Sequence, residues 1–204
     1  MTSAREAGIA EDLAAALTRH PAVSSVELVG SRARGEANEL SDWDFQVETL
    51  DFPAVAKALP EMVSSLEPLA QQWDRLSEHA CYMLLLRGIG KVDLICDEPW
   101  KSSPPWTVSA ATLRGIDDHF WDWNIWLASK DKAGKREVVE TELGKMHDHL
   151  LAPMGVERVP SSVADAIAVY TAARAEVQER LGTAVHQVVE DEVRRLLAAG
   201  GYAI

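Results

Sequence analysis

The sequence predicts an α+β fold, with strands confined to the first half of the chain and helices filling the second. Two observations predict this division. Between Val23 and Cys96, short runs rich in β-branched and aromatic residues recur between turn residues, as strands do. Beyond Pro99, Pro104 and Pro105 the apolar residues recur only at the three-to-four spacing of a helix face. The proline-rich stretch, with Lys101-Ser102-Ser103 inside it, interrupts all regular pattern and marks a boundary between domains at 1–98 and 107–204.

The elements follow in order. From Ala4 to Arg19 the residues Ile9, Leu13, Ala16 and Leu17 form one helical stripe, which His20-Pro21 ends. Val23 to Val29 reads as a strand halted by Gly30-Ser31. From Asp42 to Glu48 the chain alternates, with Trp43, Phe45 and Val47 on one face and Asp42, Asp44, Gln46 and Glu48 on the other. Helical spacing returns from Pro53 to Leu66. Leu69 to Trp73, Ala80 to Leu86 and Val92 to Cys96 are three strands, the last two joined by a tight hairpin through Arg87-Gly88-Ile89-Gly90.

In the second half, Leu113, Ile116, Phe120, Trp123 and Leu127 line one helix, and Val138, Val139, Leu143, Met146 and Leu150 line the next. Pro153 and Pro160 bracket a loop. Ser162 caps a helix from Val163 to Arg180, with Asp165 in its first turn. Gly182 and Gly200-Gly201 punctuate a last helix, Val185 to Ala199.

Composition excludes several classes. With 204 residues, 47% of them hydrophobic and 25% charged, the chain is an ordinary globular one with a sizeable core. A formal net charge of -12 argues against holding nucleic acid, which takes clustered Lys and Arg to displace counterions. The two cysteines, Cys81 and Cys96, lie in separate apolar runs and read as small core residues, not as a disulfide or a zinc site. Met1 to Ala10 holds no apolar stretch of signal-peptide length and no run reaches transmembrane length, so a cytoplasmic protein with no membrane partner is expected.

The chemistry concentrates in one constellation. Asp42 and Asp44, two apart on a strand, share a face at about 7 Å, close enough to ligate a pair of divalent cations roughly 4 Å apart. Asp93, set among Val92, Leu94 and Ile95, is costly to bury unless paired or ligated, and supplies a third carboxylate from a neighbouring strand. Three carboxylates this close need cations to offset their repulsion. Gly30 lets the backbone approach a phosphate closely, and the turn from Ser31 to Ala37 offers N–H groups and a hydroxyl to it. Arg32 or Arg34 adds positive charge there, and Arg34 is the choice for the site.

Gly30-Ser31, Asp42-x-Asp44 and Asp93 together resemble the pattern of the DNA polymerase β-like nucleotidyltransferase superfamily. Chain length and the helical second half look like its aminoglycoside and lincosamide nucleotidyltransferase branch. The motif resemblance covers residues 20 to 97. It implies a mixed sheet flanked by helices, and adenylyl transfer from ATP with two magnesium ions. The ions would be held by Asp42, Asp44 and Asp93, and a small hydroxylated acceptor would be bound with the help of the helical domain. It also implies a second-domain lysine on the triphosphate, for which Lys132 is chosen from Lys130, Lys132, Lys135 and Arg136. Trp43 departs from the pattern, since many relatives carry an aliphatic residue between the two carboxylates.

Two further readings keep part of this. One is the same chemistry directed at a protein partner, as in the short nucleotidyltransferases that accompany toxins. The other is a nucleotide-binding module without catalysis. Elsewhere, Trp121, Trp123 and Trp126 read as helix packing ahead of a surface for stacking a drug or base, Asp117-Asp118-His119 as an exposed helix face ahead of an acceptor-pocket lining, and His147-Asp148-His149 as surface. Eleven acids against six bases from Glu137 onward favour an amine-rich acceptor.

Overall fold

A computed structural model of the chain describes residues 4–202. Met1, at the start of the stretch read above for a leader, lies outside them. The chain divides into two compact units, residues 1–37 with 41–102, and residues 38–40 with 103–204.

The first unit is built on a five-stranded sheet. Helix α1 (Ala4–Leu17) leads into β1 (Val23–Val29), a four-residue helix α2 (Gly30–Ala33) and β2 (Trp43–Thr49). Helix α3 (Phe52–Met62) follows, then β3 (Ala70–Trp73), β4 (His79–Leu86) and β5 (Gly90–Pro99). The strand order is β1-β2-β5-β4-β3, and only β2 and β5 run parallel. The sheet is therefore mixed, with helices α1 and α3 beside it.

The alternation along β2 explains which face they cover. Trp43, Phe45 and Val47 are buried with Val92, Leu94 and Cys96 of β5, against Leu13 and Leu17 of α1 and Val55 and Leu59 of α3. Their odd–even partners, among them Asp44, Gln46, Asp93 and Ile95, stand on the opposite face. Strand β4 is apolar on both faces. Ala80, Tyr82, Leu84 and Leu86 join the helix-covered core, while Cys81, Met83 and Leu85 are equally buried on the other side.

Local chemistry sets the ends of the elements. The Asp51 carboxylate accepts from Ala54 N at 3.1 Å and caps α3, with Pro53 in the first turn. The helix stops at Met62, earlier than the apolar spacing to Leu66 suggests. Ser64–Leu66 form a 3₁₀ turn that ends on Glu67 in the left-handed region (φ 52°), where an α-helix cannot continue. The hairpin between β4 and β5 pairs Leu86 with Gly90 across Arg87-Gly88-Ile89, and Gly88 supplies the positive φ of 75° the turn needs.

The second unit is helical: α4 (Leu113–Lys132), α5 (Arg136–Met146), α6 (Val163–Leu181) and α7 (Val188–Ala199). After α5 the chain widens into a π-helical turn, His147–Leu151, and then tightens into a 3₁₀ turn, Ala152–Met154. The Ser162 hydroxyl accepts from Asp165 N at 3.1 Å and caps α6. The last helix begins at Val188, three residues later than expected, and Val185 N, ahead of it, donates to the Gln178 side chain at 2.8 Å.

Helix α4 packs against α5, α6 and α7, and a buried ionic network joins α4, α6 and α7. Asp117 Oδ1 accepts from Trp121 Nε1 at 3.2 Å, Tyr170 OH at 2.7 Å and Arg174 Nη1 at 2.8 Å. Arg174 also pairs with Glu190, which in turn accepts from Arg194 Nε at 2.7 Å. Tyr170 stacks on Phe120. Every charged group here meets an opposite charge or a donor, the condition on which buried ions are tolerated.

No helix of the described residues is long and apolar enough to cross a membrane. Cys81 and Cys96 are buried and unbonded to each other. Burial pushes the Cys96 thiol up to about 11, and nearby Glu98 adds to the shift, so it stays protonated and inert near neutrality.

Candidate active site

The parallel pairing of β2 and β5 sets Asp44 directly opposite Asp93. Directly opposed residues share a face of the sheet, and Asp42, two residues before Asp44, projects from the same side. One carboxylate oxygen from each of Asp42, Asp44 and Asp93 lies within 4.8 Å of the other two. Asp42 is buried and the other two are half-buried. At that spacing each pair of like charges repels by roughly 3 kcal/mol in a partly screened setting. Oxygen donors in this number and spacing are what a hard divalent cation takes, so these residues fit one.

Gly30 stands against this cluster. A Cβ placed on it would lie 2.0 Å from Asp44 Oδ2 and 2.9 Å from Asp44 Cγ, and its φ is +70°. Both the backbone angle and the space exclude a side chain. The glycine therefore serves Asp44 first, by giving the carboxylate room against the end of β1.

The segment after Gly30 differs from the open turn expected of it. Gly30–Ala33 make one helical turn, and the amides of Arg34, Gly35 and Glu36 donate to the carbonyls of Gly30, Arg32 and Ser31. These three N–H groups are spent on the backbone because a single helical turn closes its own hydrogen bonds. Ser31 sits in that turn, half-buried.

The two arginines part company. Arg32 donates from Nε to the Ser41 and Asp42 carbonyls, each at 3.1 Å, and from Nη2 to Ser41 O at 2.7 Å. Its guanidinium also lies 4.2 Å over the Trp43 ring centroid. This clamp holds the backbone at Asp42, and it gives the tryptophan between the motif carboxylates a use: its face carries the cation and its body fills the core. Arg34 is exposed and pairs with Glu36 at 2.8 Å.

Lys91 completes the site and was not anticipated from sequence. Its ammonium lies 2.8 Å from Asp93 Oδ1, with a side chain only 5% exposed. The signal was legible in the Lys-x-Asp spacing on β5, since residues two apart on a strand share a face.

The second unit holds the remaining candidates. Lys132 pairs with Glu39 and donates to the Gly200 carbonyl at 2.8 Å. The turn around it, residues 131–138, is exposed. Asp117-Asp118-His119 is a correction. It does not form an exposed face: Asp117 and His119 are buried, because α4 is enclosed on several sides and its polar residues find partners inside. His119 stacks on Trp123 and meets Trp106 Nε1 at 3.4 Å. Burial, with a smaller push from Asp117, lifts the Asp118 carboxyl to about 6, against the pull of Arg114. His147 also departs from a plain surface reading, being half-buried with Nε2 3.1 Å from the Val156 carbonyl. Trp121 and Trp123 are buried in the helix packing, as expected, while Trp126 is only half-buried, with the Lys130 ammonium 4.9 Å over its ring.

Comparison with known proteins adds to this geometry. Residues 11–76 match the family model of the nucleotidyltransferase domain. That segment takes in Gly30, Ser31, Asp42 and Asp44 and stops before Asp93. No curated protein sequence matches the chain. Among solved structures, a cytoplasmic RNA terminal U-transferase aligns at 18% identity and a TM-score of 0.37, over 46% of this chain and 30% of that one. The Cid1 poly(U) polymerase aligns at 19% identity and 0.37, over 47% of this chain and 31% of its own. The chain thus spans less than a third of the length of these two. An aminoglycoside 6-adenyltransferase from Bacillus subtilis aligns at 12% identity and 0.33, over 99% of this chain and 100% of that one.

Proposed function

We propose that this chain, whose residues 11–76 match the nucleotidyltransferase-domain model, moves AMP from ATP to a hydroxyl of a small molecule. The observation that carries the reading is the meeting of three carboxylate oxygens within 4.8 Å on one sheet face, beside Gly30. Two magnesium ions held there would neutralise the triphosphate and acidify the attacking hydroxyl.

The chain's own residues have separable tasks. Asp42, Asp44 and Asp93 would hold the cations, and Gly30 and Arg32 fix where the first two carboxylates sit. Asp93 faces them and takes the proton of the acceptor hydroxyl as its oxygen bonds to the α-phosphorus. The bond from that phosphorus to pyrophosphate breaks in the same displacement. Ser31 and Arg34 are assigned to the phosphates, and Lys132 is the basic residue of the helical unit given the same task.

The acceptor in this reading is a small hydroxylated molecule bearing amines, of the aminoglycoside or lincosamide kind, bound with the help of residues 107–204. What supports it is the net charge of -12 and the excess of acids after Glu137. The same charge disfavours a nucleic-acid acceptor. A cytoplasmic setting, where ATP is abundant, belongs to the same proposal.

The test is incubation of the purified chain with ATP labelled at the α-phosphate, magnesium and a panel of aminoglycosides and lincosamides. Label on a drug, absent from an Asp93→Asn control, is the expected result. Label on a co-expressed protein instead would move the acceptor to a protein partner. Nucleotide binding with no pyrophosphate release under any of these conditions would leave only a binding module.

A further inference from the structure

Lys91 brings a positive charge into the carboxylate cluster from within the same strand. Its Nζ is 2.8 Å from Asp93 Oδ1 and its side chain is 5% exposed. The register of β5 against β4 sets Lys91 opposite Leu85 and Asp93 opposite Met83, both buried, so the flank of the ion pair on that side is apolar. On its other side Asp93 faces Asp44 across the parallel pair.

Two needs meet in this contact. A buried ammonium requires a counter-charge, and carboxylates as close as these require a cation. A single charge on a flexible four-carbon stem can answer the second need without fixing the geometry a divalent ion demands.

We propose that Lys91 is a built-in counter-cation that keeps the carboxylate cluster assembled before metal binds and competes with the entering ion for Asp93, thereby setting the site's metal affinity. The inference rests on the divalent-cation reading given above. Lys91 is a positioning residue here: it acts through Asp93 and touches no reacting atom. A cluster held by its own lysine is ordered in advance, so the chain needs no metal to fold. Metal in turn must displace a charge already paired, which weakens its binding.

The experiment uses the full chain and Mn2+ as the probe. Binding is read by isothermal titration, and thermal unfolding is followed with chelator and with Mn2+, for the native protein, Lys91→Met and Lys91→Arg. Lys91→Met is expected to bind Mn2+ about tenfold more tightly, since one competing charge is gone. It should also unfold several degrees lower in chelator and recover in Mn2+. Lys91→Arg, which keeps the cation, should track the native protein in both measurements.

Equal Mn2+ affinity in all three proteins, with no metal-dependent recovery of Lys91→Met, would make Lys91 a plain structural cation and overturn the inference. A Lys91→Met chain unfolded in both buffers would overturn it too, because metal then fails to take the ammonium's place. Native protein with no Mn2+ binding that Asp42→Ala abolishes is a separate result, which would bring down the underlying metal reading as well.

Discussion

Asp44 of β2 and Asp93 of β5 are partners in a parallel strand pair, so two carboxylates nearly fifty residues apart in sequence face each other across one inter-strand spacing. Their juxtaposition is a property of strand register. A slip of one residue would send Asp93 into the core occupied by Leu94 and put Leu94 in its place.

Replacing either carboxylate by its neutral isostere tests this pair. Asp44→Asn and Asp93→Asn should each lower adenylyl transfer roughly 100-fold or more, with circular dichroism near native in both. Asp44→Asn removes one of three mutually repelling charges and should keep the native unfolding temperature, whereas Asp93→Asn also strips buried Lys91 of its counter-charge and should unfold at a lower temperature. A transfer rate within a factor of two of native in either variant would contradict the assignment.

Gly30→Ala should be damaging on two counts. The added Cβ would sit 2.0 Å from Asp44 Oδ2, and the residue would have to hold a φ of +70°. A loss of roughly 1–3 kcal/mol in stability is expected, with transfer falling further than stability because Asp44 must move. Denaturant unfolding together with the transfer assay separates the two effects.

The helical unit offers a test independent of any activity. Arg174, 5% exposed at its side chain, answers both Asp117 and Glu190. Arg174→Met should cost roughly 3–5 kcal/mol, because buried Asp117 loses its counter-charge and Glu190 keeps only Arg194. A urea midpoint close to native would show that water or a local shift had replaced the guanidinium.

Asp118 makes the stability of the protein pH-dependent in an unusual direction. Burial raises its carboxyl to about 6, above the value of an unfolded aspartate, so the folded chain binds the proton more tightly than the unfolded one. Stability contributed this way is present below about pH 4 and is lost as pH rises toward 6. Asp118→Asn should therefore leave stability unchanged near pH 4 and raise it by roughly 2 kcal/mol at pH 7.5. Unfolding curves at the two pH values decide it, and an equal effect at both would dissociate the change from the proton.

Much of the fold was readable because the local patterns were unambiguous. The period-two alternation from Trp43 to Val47 sorted the two faces of β2. Ser162 ahead of Asp165 announced the start of α6, and the three prolines after Cys96 announced the change from strands to helices. The same patterns misjudged where two elements end, at Met62, after which the chain tightens into a 3₁₀ turn that stops on Glu67, and at Val188, three residues beyond the expected start.

The side-chain partnerships were a different matter. Asp117 looked like an exposed acid because its partners Tyr170 and Arg174 stand 53 and 57 residues further on. Gly30 was legible as a glycine needed for close approach, yet that Asp44 presses against it follows only from the antiparallel register of β1 and β2. Lys91 could be placed on the face of Asp93 by spacing, while its burial comes from the strands on either side.

Periodicity, caps and chain breaks are local, so residues a few positions apart already determined the strands, the helices and which acids share a strand face. Which strand lies beside which, and hence which charges meet, is decided by long-range packing. A carboxylate's partner is set by register and burial, quantities that have no counterpart in a linear run of residues.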